Sequence, residues 1–244
     1  MAGRAKRVLV VSDFHCGHNA GLRVDETDSR WRRFASEVKK LQPIDICVAN
    51  GDLIDGKGEK TGGTELITSD RKQQSKMAVK ILEFINAKTY RLTYGTPYHV
   101  GKEEDWEGVI ADRIDGSIQG HDFFEVNGLC FDVKHRISGS SIPHGRFTAL
   151  ARQKVWNLFW SELGETPKSD IIIRSHVHYF QYCGGRNWMA LITPALQGWG
   201  SKFGDRVCEG TIDWGFVYFD VWSKTRWTWG HVIAQLDRVE VQKI

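Results

Sequence analysis

The sequence predicts an α/β chain with a metal site where its strands end. Three observations carry this. The first half alternates short apolar runs with amphipathic stretches, the second half turns to strand-length segments joined by hairpin signals, and four apolar runs end in metal-type ligands. Residues 8–12 lead into Asp13-Phe14-His15, and residues 44–50 into Gly51-Asp52-Leu53-Ile54-Asp55. Residues 129–134 lead into His135, and residues 171–175 into His176-Val177-His178.

After the first strand, Trp31, Phe34, Ala35, Val38 and Leu41 fall at helical spacing and predict a helix over 28–41. A strand over 44–49 follows. A second helix over 70–88 places Met77, Ile81, Phe84 and Ile85 on one face. A third strand, 90–94, runs into Gly95-Thr96-Pro97-Tyr98-His99. This β-α-β-α-β order argues for parallel strands with covering helices. Residues 123–126 and 129–133 flank Asn127-Gly128, a strong hairpin signal. A long helix over 145–163 turns Phe147, Leu150, Ala151, Val155, Leu158 and Phe159 inward. Strands follow at 179–183, 188–192, 214–222 and 226–235, the last two joined by Ser223-Lys224-Thr225. Trp222, Trp227 and Trp229 are assigned to sheet packing in preference to an aromatic substrate platform.

The 244 residues fit one domain over 1–244, with no Pro-rich linker, low-complexity block or repeat. A net charge of +3 is too mild to diagnose nucleic acid as a partner. The five cysteines are odd in number and lack CxxC spacing, so they are read as small buried apolar groups in a reducing compartment, with Cys16 not a ligand. The first apolar run is too short for a signal peptide, and no stretch approaches a membrane span. The expectation is a cytoplasmic protein with no membrane partner. The polar Gly-rich stretch 55–63 is either a plain surface connection or a rim loop near substrate.

Asp13 and His15 are two residues apart, so at a strand end they lean to one side, and His176 with His178 repeats the spacing. Asp52 ends a buried strand, where open α/β sheets place ligands. Carboxylate and imidazole together suit Mn²⁺, Fe or Zn²⁺, and the absence of thiolate argues against a structural zinc site. Two cations held about 3.5–4 Å apart need a bridging group, which an aspartate can be. Singly, each motif has an ordinary explanation as a turn or a hydrogen-bonded histidine. Together, five or six buried ionisable groups at strand ends need a shared counter-charge.

These motifs resemble those of the calcineurin-like metallophosphoesterases, whose pattern is D-x-H, G-D-x-x-D, G-N-H-D/E, a lone H, and G-H-x-H. The chain matches the first two at Asp13–His15 and Gly51–Asp55, the fourth at His135, and the last at 175–178 with Ser175 in place of Gly. The resemblance is closest to small single-domain members from bacteria and phages. It implies a four-layer αββα sandwich, two mixed sheets packed face to face and flanked by helices. It implies two divalent ions, Mn²⁺ first and Fe, Zn²⁺, Ni²⁺ or Mg²⁺ as alternatives. Asp13, His15 and His178 would hold one, His135 and His176 the other, and Asp52 would bridge, with Asp55 behind them or serving as a loop cap. A metal-bridging hydroxide would attack a phosphodiester of a nucleotide or nucleic acid. A phosphomonoesterase on the same site is the alternative, and a non-catalytic scaffold the third reading.

The third motif departs from the pattern. Thr96 stands where the family has its Asn ligand, and His99, the candidate general acid, comes three residues later. Thr96 either offers its hydroxyl or leaves the position to water. Glu103, Glu104 and Asp105 are candidates to orient His99. Arg136, His144 and Arg146 lie in a Gly/Ser-rich stretch ending at a helix start, which suits phosphate, although an ordinary loop would look the same. His18, His121 and His231 are read as surface or structural histidines.

Overall fold

The computed structural model describes residues 4–59, 62–101, 104–140, 142–199 and 212–234. In chain order the first half runs β1 (Lys6–Val11), α1 (Ser29–Leu41), β2 (Ile44–Asn50), α2 (Arg71–Ile85), β3 (Ala87–Thr93), α3 (Pro97–Val100), α4 (Trp106–Arg113) and β4 (Ser117–Gln119). The second half runs β5 (Asp122–Val126), β6 (Leu129–Val133), α5 (Pro143–Glu162), β7 (Ile171–Arg174), β8 (Gln181–Gly185), β9 (Trp188–Ile192), β10 (Trp214–Ser223) and β11 (Arg226–Ala234).

Among the described residues, eleven strands form two mixed sheets. The first has the order β11-β10-β1-β2-β3-β4 and the second β5-β6-β7-β9-β8. In the first, β1 to β4 are parallel, while at one edge β10 runs antiparallel to β1, and β11 antiparallel to β10. In the second, β6, β7 and β9 are parallel between antiparallel β5 and β8.

Period-two alternation decides which side each strand residue faces. Val8, Val10, Val48, Val217 and Phe219 of the first sheet pack with Phe131, Val133, Ile171, Ile173 and Leu191 of the second, a shared core between the sheets. Leu9, Val11, Cys47 and Ala49 point the other way, into a cluster with Trp31, Phe34 and Val38 of α1 and Ala78, Ile81 and Leu82 of α2. Leu150 of α5 packs on Ile172, Ala190 and Ile192 at the outer face of the second sheet. The layers are therefore αββα.

Helix ends follow local chemistry. Asp28 caps α1 by accepting from the Arg30 amide, and Asp70 caps α2 by accepting from Lys72 and Gln73. Asn86, in left-handed backbone at φ 54°, ends α2 three residues before the expected 88 and lets β3 begin at Ala87, not 90. The short α3, α4 and β4 were not anticipated, being only a few residues long with weak periodicity.

The expected facing of α5 is corrected. Its buried residues are Ala149, Leu150, Lys154 and Asn157, whereas Phe147, Val155, Leu158 and Phe159 are exposed. Polar groups set its rotation: Lys154 Nζ donates to the Ser169 carbonyl, and Asn157 Nδ2 donates to Pro167 O at 2.9 Å and to Ser169 Oγ at 3.2 Å. The expected strand over 179–183 begins two residues later, because Tyr179 turns into the core beneath α5. Cys16 and Cys47 are buried and free, Cys130 and Cys183 half-buried and free, and Cys208 lies outside the described residues. Among the described residues no helix is long and apolar enough to cross a membrane.

Candidate metal centre

The strand ends of both sheets converge on one place. Asp13 and His15 follow β1, Asp52 follows β2, His135 follows β6, and His176 and His178 follow β7. Five of these six have left-handed backbone: Asp13 at φ 53°, His15 at 46°, Asp52 at 52°, His176 at 78° and His178 at 57°. Non-glycine residues rarely adopt this region, and concentrations of such strain mark functional sites. The expected strand alternation is therefore not what brings these residues together. Asp13 and His15 are not alternating strand positions; tight left-handed turns aim them.

Among the described residues, candidate ligand atoms lie within 4.8 Å of one another in three sets: Asp13, His15 and His178; Asp52, His135 and His176; and His15, Asp52 and His99. In the first, His178 Nε2 is 3.2 Å from Asp13 Oδ1 and 3.3 Å from His15 Nε2. In the second, His135 Nε2 is 3.0 Å and His176 Nδ1 3.9 Å from Asp52 Oδ2. Asp13 Oδ1 and His176 Nδ1 are buried without a hydrogen-bond partner. Unsatisfied polar atoms at such depth need explanation, and a cation between them supplies one. The donor set fits divalent ions that accept both imidazole and carboxylate.

The far sides of the rings are held, as metal-ligating imidazoles require. His15 Nδ1 donates to Asp55 Oδ1 at 2.9 Å, and His135 Nδ1 donates to Asn50 O at 2.7 Å, so each Nε2 faces the cluster. His99 Nδ1 lies 3.0 Å from Asp55 O and 3.4 Å from its Oδ1. Asp55 thus touches both His15 and His99. The expected orienting acids are elsewhere: Glu104 binds Arg71 and Trp106, and Asp105 caps α4 and accepts from Tyr94 Oη. Glu103 lies outside the described residues.

Thr96 sits against the bridging candidate. Its amide donates to Asp52 Oδ1 at 2.6 Å, and its hydroxyl lies 3.1 and 3.2 Å from the two Asp52 oxygens. The glycines beside these motifs are steric necessities. A Cβ on Gly95 would strike the Asp52 carboxylate, and one on Gly51 would lie 2.7 Å from the His135 ring.

Two supporting features escaped the sequence reading. Glu107 of α4 is fully buried and accepts from Leu53 N at 3.0 Å and Gly95 N at 2.7 Å, joining the second and third motif loops. Beneath the ligands runs a buried polar chain. Thr93 Oγ1 donates to Asn50 Oδ1, Asn50 Nδ2 donates to Ser175 Oγ, and Thr193 bridges Ser175 and Ser12 at 2.7 Å each. Its sequence signal is an uncharged polar residue just before three of the four motifs: Ser12, Asn50 and Ser175.

Without a cation, the charges lean on one another. Burial pushes the Asp13 carboxyl up, but His178 and His135 beside it hold it down to about 2. Burial opposes a proton on His135, yet Asp52 and Asp13 raise it to about 10. His99 is raised to about 9, Asp52 and Asp55 outweighing its burial. His15 is lowered to about 4 by burial and by His99. Burial and nearby Asp52 raise Glu107 to about 7.

The proposed substrate contacts are scattered. Arg136 and His144 are exposed, while Arg146 stacks 4.2 Å over the Tyr179 ring, one residue beyond His178. His18 is buried, its Nδ1 accepting from Ala20 N, His121 contacts Asp132, and His231 stacks on Phe180. Cys16 belongs to none of the ligand groups.

No family model matches the chain, and no curated protein sequence does. Solved structures do. A novel archaeal phosphodiesterase superposes with a TM-score of 0.52 at 14% identity, over 93% of this chain and 99% of its own. Vps29 of Chaetomium thermophilum gives 0.51 at 11% identity, over 95% and 97%. A double mutant of Entamoeba histolytica Vps29 gives 0.51 at 14%, over 94% and 99%. At such identities the likeness concerns the fold alone. Two mixed sheets between helical layers, matched over nearly their whole length, give this chain the fold of the calcineurin-like metallophosphoesterases.

Proposed function

We propose that the chain is a divalent-metal-dependent phosphoesterase that hydrolyses a phosphodiester of a nucleotide or nucleic acid. The observation that carries this is the convergence of Asp13, His15, Asp52, His135, His176 and His178, with Asp13 Oδ1 and His176 Nδ1 buried and facing only the other members of the cluster. Asp13, His15 and His178 form one ligand group, His135 and His176 the other, and Asp52 stands between them. Bound divalent ions, Mn²⁺ first among them, supply Lewis acidity: they acidify water and offset charge on a phosphoryl group.

The protein's own groups do the rest. Asp55 fixes the tilt of both His15 and His99. His99, held through Nδ1 by Asp55, can give a proton to the leaving oxygen from Nε2. Thr96 fixes the Asp52 carboxylate through two donors and so limits its rotation. Arg146, beside Tyr179, and exposed Arg136 and His144 are the candidate substrate contacts.

The diester preference is supported by the archaeal phosphodiesterase among the fold neighbours. One observation favours a non-catalytic scaffold: the hydroxyl and amide of Thr96, at the family's Asn position, already contact Asp52. Assay with bis- and mono-p-nitrophenyl phosphate across divalent metals separates the readings. Faster diester turnover supports the proposal, faster monoester turnover makes the chain a phosphatase, and inactivity with no bound metal leaves the scaffold.

A further inference from the structure

The outer surface of α5 is apolar nearly all the way round. On this helix and at its end Phe147, Val155, Trp156, Leu158, Phe159, Trp160 and Leu163 are all at least 39% exposed, with Val155 at 63%. Trp156 and Trp160 stack with ring centroids 6.1 Å apart, and Phe159 meets Trp160 edge-on at 5.2 Å. A helix apolar on every side is ordinarily buried on every side. At ordinary side-chain areas these seven residues expose on the order of 800 Å², more than the largest apolar patch of a typical monomer, about 300–600 Å². It equals what one partner covers in a stable complex, about 800 Å².

Charge selects the occupant and its direction. The cations of α5, Arg146, Arg152 and Lys154, all precede its one acid, Glu162, and Glu165 follows just beyond its end. Arg152, Glu162 and Glu165 are exposed. Two copies of this helix laid parallel would set like charges together. Laid antiparallel about a two-fold axis level with residue 157, they set the Arg152 turn of each beside the acidic end of the other. A two-fold contact needs one self-complementary patch, and this helix is one.

We propose that α5 is a self-association surface, packing antiparallel against α5 of a second copy of this chain. Analytical ultracentrifugation of the full chain at micromolar concentration tests it. The expected mass is twice 27.8 kDa. Val155→Glu with Phe159→Glu should weaken the dimer by roughly a hundredfold, as charges at an interface centre do. Thermal unfolding of that variant at high dilution should match the wild type, because both side chains already face water in the single copy. Arg152→Glu alone should raise the dimer dissociation constant about tenfold at low salt, and adding Glu162→Arg should return it. A wild type of 27.8 kDa throughout would overturn the proposal, as would a dimer untouched by the Val155 and Phe159 changes.

Discussion

On one side of the cluster, Asp13, His15 and His178 converge from β1 and β7, with their ligand atoms 3.2–3.9 Å apart. On the other, His135 and His176 face Asp52 at 3.0 and 3.9 Å, and the position that the family fills with Asn carries Thr96, bonded to Asp52 itself. The first half offers three ligands besides Asp52; the second offers two. Equal folding effort has gone into both, since left-handed turns shape each. The difference teaches that the halves need not bind equally: the first group should be the tight site, the second the exchangeable one.

The change with the largest expected effect removes what the halves share. Asp52→Asn should lower diesterase activity by about 10³-fold or more if Asp52 bridges as proposed, because one of its carboxylate oxygens becomes a donor aimed at cations. An Asp52→Asn enzyme of wild-type activity would reject the bridging role. Next, the halves can be separated. His178→Ala should abolish the tighter step of a calorimetric Mn²⁺ titration, whereas His176→Ala should spare it and remove the weaker one. Loss of the same step in both variants would erase the distinction.

Thr96→Asn sharpens the comparison in the opposite direction. An amide oxygen is a better ligand than a hydroxyl, so the weaker step should tighten by about tenfold. Asp55→Asn acts on the first half through His15 and on the candidate acid through His99, and a loss of about 10–100-fold in metal affinity or activity is expected of such supporting partners. His99→Ala should cost little on p-nitrophenyl esters, which leave without a proton, and more on alkyl or nucleoside esters. Equal losses on both substrates would remove His99 as the acid.

The smallest effects concern pH and stability. His135 is raised in the folded chain from 6.5 to about 10. Its contribution is therefore fully present below pH 6.5 and is lost as pH climbs through about 10. Chelated protein should lose thermal stability across that window. Metal binding requires neutral imidazole, so at pH 7 it should release a proton, read as a dependence of binding heat on the buffer. Glu107→Gln should cost about 1–3 kcal/mol, since an amide cannot accept from both Leu53 N and Gly95 N.

The layered fold and the convergence of six candidate ligands could be read from sequence because several strands are apolar runs with a His or Asp at their ends, and period-two burial made the strands visible. What could not be read was three-dimensional. Nothing in Asp13 or His178 announces left-handed backbone, since glycine is the residue that advertises it. Glu107 lies 55 residues from Asp52 in a helix too short to show periodicity. Asp55, not Glu104 or Asp105, orients His99, because closeness in sequence was mistaken for closeness in space. The inward face of α5 was misassigned because its apolar residues surround the helix, so Lys154 and Asn157 decide its rotation.

The most direct test of a two-metal centre spanned by Asp52 is calorimetric titration of the metal-free chain with Mn²⁺, run beside Asp52→Asn. The expected result is about two equivalents per chain, one tight and one weak, with both weakened in Asp52→Asn. Failure of the wild type to bind divalent metal, or binding unchanged by Asp52→Asn, would contradict it.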